Sequence, residues 1–337
     1  MRGPRNIAEL HELASRPTVG VIDSLRNVDS DVLVIGAGGK MGYHLSRMLY
    51  RGLTELKSKH RVIAVSRFGS ASPTDFFDDQ RIETLSIDLT RDGAVESLPD
   101  SKNIFYLAGA KFGTGNNPGL LQQMNVELPA RVARRYVDSR IVALSTGCVY
   151  SFVTPASGGS VEADDLNPPG DYAISCVGRE RAFANAGPQT SLIRLNYSVD
   201  LRYGVLVDIA QKVLHGKPID VTTGFANVIW QGDANAYIIQ SLSHATSPPF
   251  AINVTGSAIL KIRQVASRFG ELFGKQVAIV GNETKTAWLN NAGKSHELWG
   301  PPRVSESELI EWVADWLRND GETLNKATHF EVRDGKY

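Results

Sequence analysis

Cysteine, net charge and long apolar runs are what this sequence has little of, and each shortage narrows what the chain can be. Among 337 residues there are two cysteines, Cys148 and Cys176. They are too few for a disulfide scaffold. The N-terminus, Met1-Arg-Gly-Pro-Arg-Asn-Ile-Ala8, lacks the apolar core of a secretory leader. Together these point to the reducing cytoplasm. Lys plus Arg and Asp plus Glu both number 36, so the formal net charge is zero. That argues against a polyanion-binding surface as the main function, and no basic, aromatic-rich stretch announces a nucleic-acid partner. No run approaches the roughly 20 apolar residues of a membrane span. Repeats, low-complexity segments and a metal-ligand pattern are also missing. What is there is 42% hydrophobic and 21% charged residues, the composition of a globular protein with a large core. The length suits two domains, or one large α/β domain with a lobe attached.

The most informative stretch runs from Asp31 to His44. Val32 to Ile35 are apolar and mostly β-branched; Gly36, Gly38, Gly39 and Gly42 follow; Met41, Leu45, Met48 and Leu49 then recur at helical spacing. This predicts a buried strand, a tight turn and a helix start. Glycine permits positive φ and a close approach of the backbone, and free N–H groups at a helix start suit a pyrophosphate. An ordinary strand–helix turn would use the same residues, so the rest of the chain has to decide.

Further strands are expected at Arg61–Arg67, Ile82–Asp88, Asn103–Ala108, Arg140–Ser145 and Ser191–Leu195, with helical patterns between most of them, notably Leu120 to Val137 and Asp171 to Phe183. Strands alternating with helices predict a doubly wound, Rossmann-like parallel sheet. Ligands of such sheets sit at the carboxyl ends of the strands. Arg67 ends the second strand, where an adenosine ribose would lie. An acid there would hold a 2′-OH, whereas an arginine suits a 2′-phosphate, and Lys40 in the turn adds a second cation; this favours NADP over NAD. Asp88 could accept from an adenine amino group or cap the helix after it.

The remaining segments are expected as follows. Residues 1–30 form a helical extension ended by Pro17, and 31–195 the dinucleotide-binding domain. Ala226–Trp230 and Phe250–Val254 are read as two short strands, with 226–254 returning to that domain. Residues 196–225 and 255–320 form a smaller C-terminal α/β substrate lobe, with helices over Val205–Val213, Leu260–Phe273 and Val304–Leu317. Ser305 and Glu308 are spaced as a capping box. Residues 321–337 form an arm, drawn as reaching a neighbouring subunit.

Taken in order, Gly36-x-x-Gly39-x-x-Gly42, Asp88-Leu89, Leu107-Ala-Gly-Ala-Lys111, Asn125, Ser145-Thr146-x-x-Val149-Tyr150 and Tyr172 make a pattern. From about residue 31 to 318 it resembles the extended short-chain dehydrogenase/reductase superfamily of the NAD-dependent epimerase/dehydratase type, as a divergent branch. The resemblance implies cofactor contacts from Gly36, Gly38, Gly39, Lys40, Met41 and Gly42, then from Arg67, Asp88, Leu89, Leu107, Ala108, Gly109 and Lys111. Asn125, Ser145, Tyr172, position 176 and Asn196 complete that set. Thr146 falls where the family has its catalytic Ser/Thr, and Tyr172, 26 residues on, where the catalytic tyrosine belongs. A tyrosine can exchange a proton with a carbinol oxygen that a neighbouring hydroxyl holds. The resemblance also implies a homodimer.

Two departures matter. The family's Tyr-x-x-x-Lys reads Tyr172-Ala-Ile-Ser-Cys176 here. A thiol neither holds the nicotinamide ribose nor lowers the tyrosine pKa from about 10. Lys111 is the expected replacement and is counted with Thr146 and Tyr172 as catalytic; Arg179, two turns along the helix, is expected to point elsewhere. Cys176 itself reads better as a small buried residue than as a nucleophile. Second, Ala226 stands where family members acting on nucleotide-sugars carry a phosphate-binding arginine. With Arg202 available for an anionic group, a sugar, polyol or sugar acid is expected rather than a nucleotide-sugar. The competing expectation is a non-catalytic dinucleotide-binding sensor or scaffold.

Overall fold

The computed structural model describes residues 2–69, 77, 82–111 and 118–333. Its centre is a sheet of seven parallel strands. These are β1 (Val32–Ile35), β2 (Val62–Ser66), β3 (Ile82–Ser86), β4 (Asn103–Tyr106), β5 (Arg140–Leu144), β6 (Gln189–Leu195) and β7 (Phe250–Val254). Their spatial order is β7-β6-β5-β4-β1-β2-β3. Parallel strands covered on both faces read as unbroken apolar runs, and Val32 to Ile35 are all fully buried. The strand order reverses at β1, which lies between β2 and β4. The crevice for a ligand therefore opens above Ile35 and Tyr106.

On one face the helix Gly42–Glu55 packs Leu45, Met48 and Leu49 against Val32, Val34 and Phe105. On the other, Val132 and Phe183 cover Leu33, Ile104 and Ile141. A separate core forms the lobe, from the helices Val205–Leu214, Ile262–Phe273 and Glu306–Arg318. Trp312 and Trp316 are buried in it, and the Ser305–Glu308 capping box is formed. Among the described residues no helix is long and apolar enough to cross a membrane.

Several expectations are corrected. The N-terminal extension is two helices, Ile7–Ala14 and Val19–Leu25, because Pro17 lacks the N–H to continue the first. The first buries Leu10 and Leu13 in the lobe core, while the second buries Val21 and Leu25 in the sheet core. Ala226–Trp230 is not one strand. Phe225–Ala226 and Ile229–Trp230 join different two-stranded pairs, and the helix Gln231–Gln240 follows. The helical stretch beyond Leu120 is interrupted by a π-helical turn over Gln123–Glu127. The described part of the C-terminal arm folds back on its own chain. Leu324 N–H donates to the Arg202 carbonyl, Thr328 bonds the Asp208 carboxylate, and Arg333 donates to Thr286. Residues 334–337 lie outside the described part.

Candidate active site

The glycine turn is built by steric necessity at two of its positions. Gly36 has φ +90°, and a Cβ there would stand 2.5 Å from the Ala108 nitrogen. Gly42 begins the helix, and a Cβ there would be driven into the Ala37 carbonyl. Gly39 is different: its Cβ would meet only the Gly36 oxygen, at 3.3 Å. Its bareness leaves room rather than relieving a collision. The helix that starts at Gly42 has no side-chain cap, so its first N–H groups and positive dipole end face the turn.

Two cavities open from this turn. One is lined by Gly36, Gly38, Gly39, Arg67, Asp88 and Leu89, with Leu107, Ala108 and Gly109 as its other wall. Arg67 and Asp88, both expected at the adenosine end, stand together on its wall. Asp88 accepts from Thr90 N–H and Oγ1, and these bonds hold its carboxyl below the usual range; residues 89–98 form turns and not the helix expected there, so Asp88 caps a turn. Met124 and Leu128 also line this cavity. They carry no motif, and no sequence signal marks them.

The second cavity, about 750 Å³, runs from the same turn past Leu107, Gly109 and Lys111 to the lobe. That volume accommodates a small organic molecule. Lys40 belongs here and not beside Arg67: its ammonium stands 3.1 Å from the centroid of the Tyr203 ring. Burial, then Lys326 and Lys111, pull its pKa down to about 7 against the opposing Asp208. Arg202 lines the cavity while pairing with buried Asp200 at 2.7 Å. His11 from the N-terminal extension and Leu324 and Lys326 from the arm complete the wall. Nothing in their local sequence signals this, because their place depends on how the chain ends pack.

At the inner end of this cavity the Lys111 ammonium lies 5.5 Å from the Tyr172 ring centroid. Burial lowers the Lys111 pKa, opposed by the Cys148 and Cys176 thiols. Tyr172 is hydrogen-bonded to Cys176, and burial together with that thiol raises its pKa well above 10, against the pull of Arg179. Cys176 is fully buried, and burial raises its pKa too, which keeps it a protonated thiol. Thr146 is 9% exposed, and its Oγ1 accepts from Cys148 N–H at 3.2 Å. Neither Thr146 nor Tyr172 lines either cavity; Lys111 stands at the wall in front of the tyrosine.

Three residues expected at the cofactor turn inward. Ser145 donates to Glu180 at 2.6 Å, inside a buried network with Arg194. Asn196 donates to the Trp288 carbonyl in the interior. Asn125, in the π-turn, is fully buried and bonds both the N–H and the carbonyl of Ala110, so it fixes the segment carrying Gly109 and Lys111. π-turns recur at functional positions. Arg179 is the clearest correction. It does not point away: it is 5% exposed and donates to Asn125 Oδ1 at 2.5 Å and to the Leu144 carbonyl at 2.8 Å.

Comparison with known proteins bears on the family and the fold. The model of the NAD dependent epimerase/dehydratase family matches residues 32–197. No curated protein matches the sequence. Among solved structures, MoeE5 in complex with UDP-glucose and NAD is 19% identical with TM-score 0.69, covering 86% of this chain and 99% of that one. The UDP-glucuronic acid 4-epimerase from Bacillus cereus, with UDP-glucuronic acid and NAD, is 16% identical with TM-score 0.71, covering 86% and 99%. DesIV from Streptomyces venezuelae, a dTDP-glucose 4,6-dehydratase double mutant with NAD and DAU bound, is 20% identical with TM-score 0.72, covering 86% and 97%. At these identities the likeness is one of fold.

Proposed function

Through residues 32–197 the chain belongs to the NAD-dependent epimerase/dehydratase family of enzymes, and on that premise we propose that it is an NAD(P)-dependent oxidoreductase or epimerase acting on a hydroxyl or keto carbon of a carbohydrate-derived molecule. The observation that carries this is the Lys111 ammonium over the Tyr172 ring, at the end of a cavity that starts at the glycine turn.

The residues present fit a dinucleotide. Gly36 and Gly42 close the turn, Gly39 leaves it bare, and the uncapped helix start supplies donors for a pyrophosphate. Arg67 and Asp88 would take the adenosine end, and Lys40 and Lys111 the other cavity. When bound, the nicotinamide supplies hydride transfer. Tyr172 would exchange a proton with the substrate oxygen, Thr146 Oγ1 would hold that oxygen, and Lys111 would bring the positive charge that Cys176 cannot. The arginine at the adenosine end favours NADP over NAD: Arg67→Ala should erase a preference that unchanged protein shows in direct binding, and equal affinities at the start would end that point.

For the substrate, a sugar, polyol or sugar acid is proposed rather than a nucleotide-sugar. Ala226 is a buried apolar residue in the place of a phosphate anchor, and the lobe side of the cavity carries Arg202 and Lys326, which suit a single anionic group. A homodimer, expected from the family, is tested by sedimentation.

The decisive experiment supplies NAD+ or NADP+ with a panel of polyols, aldonates and nucleotide-sugars and follows nicotinamide absorbance. Turnover should appear on the first two classes, and Tyr172→Phe should abolish it. Turnover on nucleotide-sugars alone would overturn the substrate class. The alternative, a dinucleotide-binding sensor or scaffold, draws on the raised Tyr172 pKa and the neutral Cys176. It gains if a cofactor binds and no substrate turns over.

A further inference from the structure

Arg179 has a setting that packing alone does not explain. It lies on the helix Asp171–Ala186, seven residues after Tyr172 and three after Cys176, so the three share one stripe of the helix. Its guanidinium is buried against the segment that borders the cavity. The Arg179 guanidinium fills the space that a Cβ at Gly109 would occupy, with Asn125 Oδ1 beside it. The π-turn aims the Asn125 amide so that one oxygen accepts from both Arg179 and the Ala110 N–H. Nε of Arg179 is buried and has no acceptor among the described residues.

Among the described residues no carboxylate lies within ion-pair distance of this guanidinium, whereas the other buried arginine, Arg194, pairs with Glu180. The nearest acid in sequence, Glu180, is committed to Arg194 and Ser145. A buried guanidinium held by neutral acceptors keeps a positive field that a salt bridge would cancel. That field reaches Cys176 and Tyr172, one and two turns back on the same stripe of the helix, although the Glu180 carboxylate also lies within reach of Arg179.

We propose that Arg179 is a positioning residue that supplies the fixed positive charge behind Tyr172, taking over the electrostatic half of the work of the lysine missing at position 176. The proposal rests on Tyr172 being the acid/base of the reaction. It divides the two tasks. Lys111, at the cavity wall, reaches ligands. Arg179, which cannot lose its proton at any working pH, favours the phenolate from below. The charge that Lys111 brings at the cavity wall is supported by Arg179, because burial favours the neutral form of the lysine. Other groups facing Tyr172 are the Cys148 and Cys176 thiols, which oppose phenolate formation.

The test needs no substrate. Fluorotyrosine is placed at position 172 to bring its ionisation into an accessible range, and phenolate absorbance is titrated against pH in the full-length protein. Arg179→Met should raise the apparent pKa by about one unit or more, Arg179→Lys by less, and Cys176→Lys added to Arg179→Met should bring it back down. NAD+ binding by each variant checks that it is folded. An unchanged pKa in folded Arg179→Met overturns the proposal, as does a rise of equal size in Arg179→Lys, which would mark a packing effect. Loss of the acid/base role is a separate result: there, Tyr172→Phe would retain turnover whatever Arg179 does to the titration.

Discussion

His11 Nδ1 and His44 Nε2 are 2.8 Å apart, joining the N-terminal extension to the helix that follows the glycine turn. His44 Nδ1 in turn meets the Gln231 amide at 2.7 Å, so the extension, the turn helix and the helix Gln231–Gln240 share one buried polar chain. The extension is thereby tied into the support of the glycine turn and is not an appendage.

The pair titrates together with folding. Burial pulls His11 down to about 4 and His44 to about 3, below the usual imidazole range. Both are neutral in the folded protein, while in the unfolded chain they take up protons below about pH 6.5. Stability should therefore be full above that pH and fall as the pH drops toward the folded values. Urea unfolding at about pH 7 and pH 5 checks this: the loss should be at least on the order of 1 kcal/mol and smaller in His44→Gln. An equal loss in that variant would assign the acid sensitivity elsewhere.

Lys40 should link proton uptake to anion binding. Its pKa of about 7 in the free protein means that a bound pyrophosphate favours its charged form and raises that pKa. NAD+ affinity should then fall as pH rises above about 7, by up to about tenfold per unit, and the dependence should flatten in Lys40→Met. Calorimetry in buffers of different ionisation heat should show proton uptake near pH 7.5 in the unchanged protein only.

Glu180 and Arg194 form a buried pair at 2.8 Å, with side chains 5% and 6% exposed. The pair also holds Ser145 and, through Tyr150, Asn253, so it ties the ends of β5, β6 and β7 together. Glu180→Gln leaves the guanidinium uncompensated and should cost about 3 kcal/mol of unfolding free energy. A denaturant midpoint unchanged by the substitution would contradict this.

The glycines of the turn should separate by role. Gly42→Ala meets backbone and should lower stability by about 1–3 kcal/mol even without ligand. Gly39→Ala, with only the Gly36 oxygen at 3.3 Å, should leave the ligand-free protein nearly as stable while weakening dinucleotide binding. Thermal unfolding with and without NAD+ distinguishes the two patterns.

The sheet and the turn were legible because their signals are local. Four consecutive apolar residues make β1, and a glycine beside a neighbouring strand is needed wherever a Cβ would strike backbone. The lobe helices were legible from their periodicity and, at Ser305, from the cap. Two-residue strands such as Phe225–Ala226 were not, since pairs that short owe their form to whatever lies opposite.

The sequence by itself determined the family, the strand order along the chain, and the absence of lysine at position 176. Only the tertiary structure decided where the charges stand. The sequence puts Lys40 at the adenosine end, yet it turns to Tyr203; spacing points Arg179 away, yet it lies against Gly109; and His11, Leu324 and Lys326 join the cavity from the two ends of the chain. The reason is physical. A backbone element follows from contiguous residues, whereas the direction of a long side chain and the company of a buried charge are settled by groups up to hundreds of residues away.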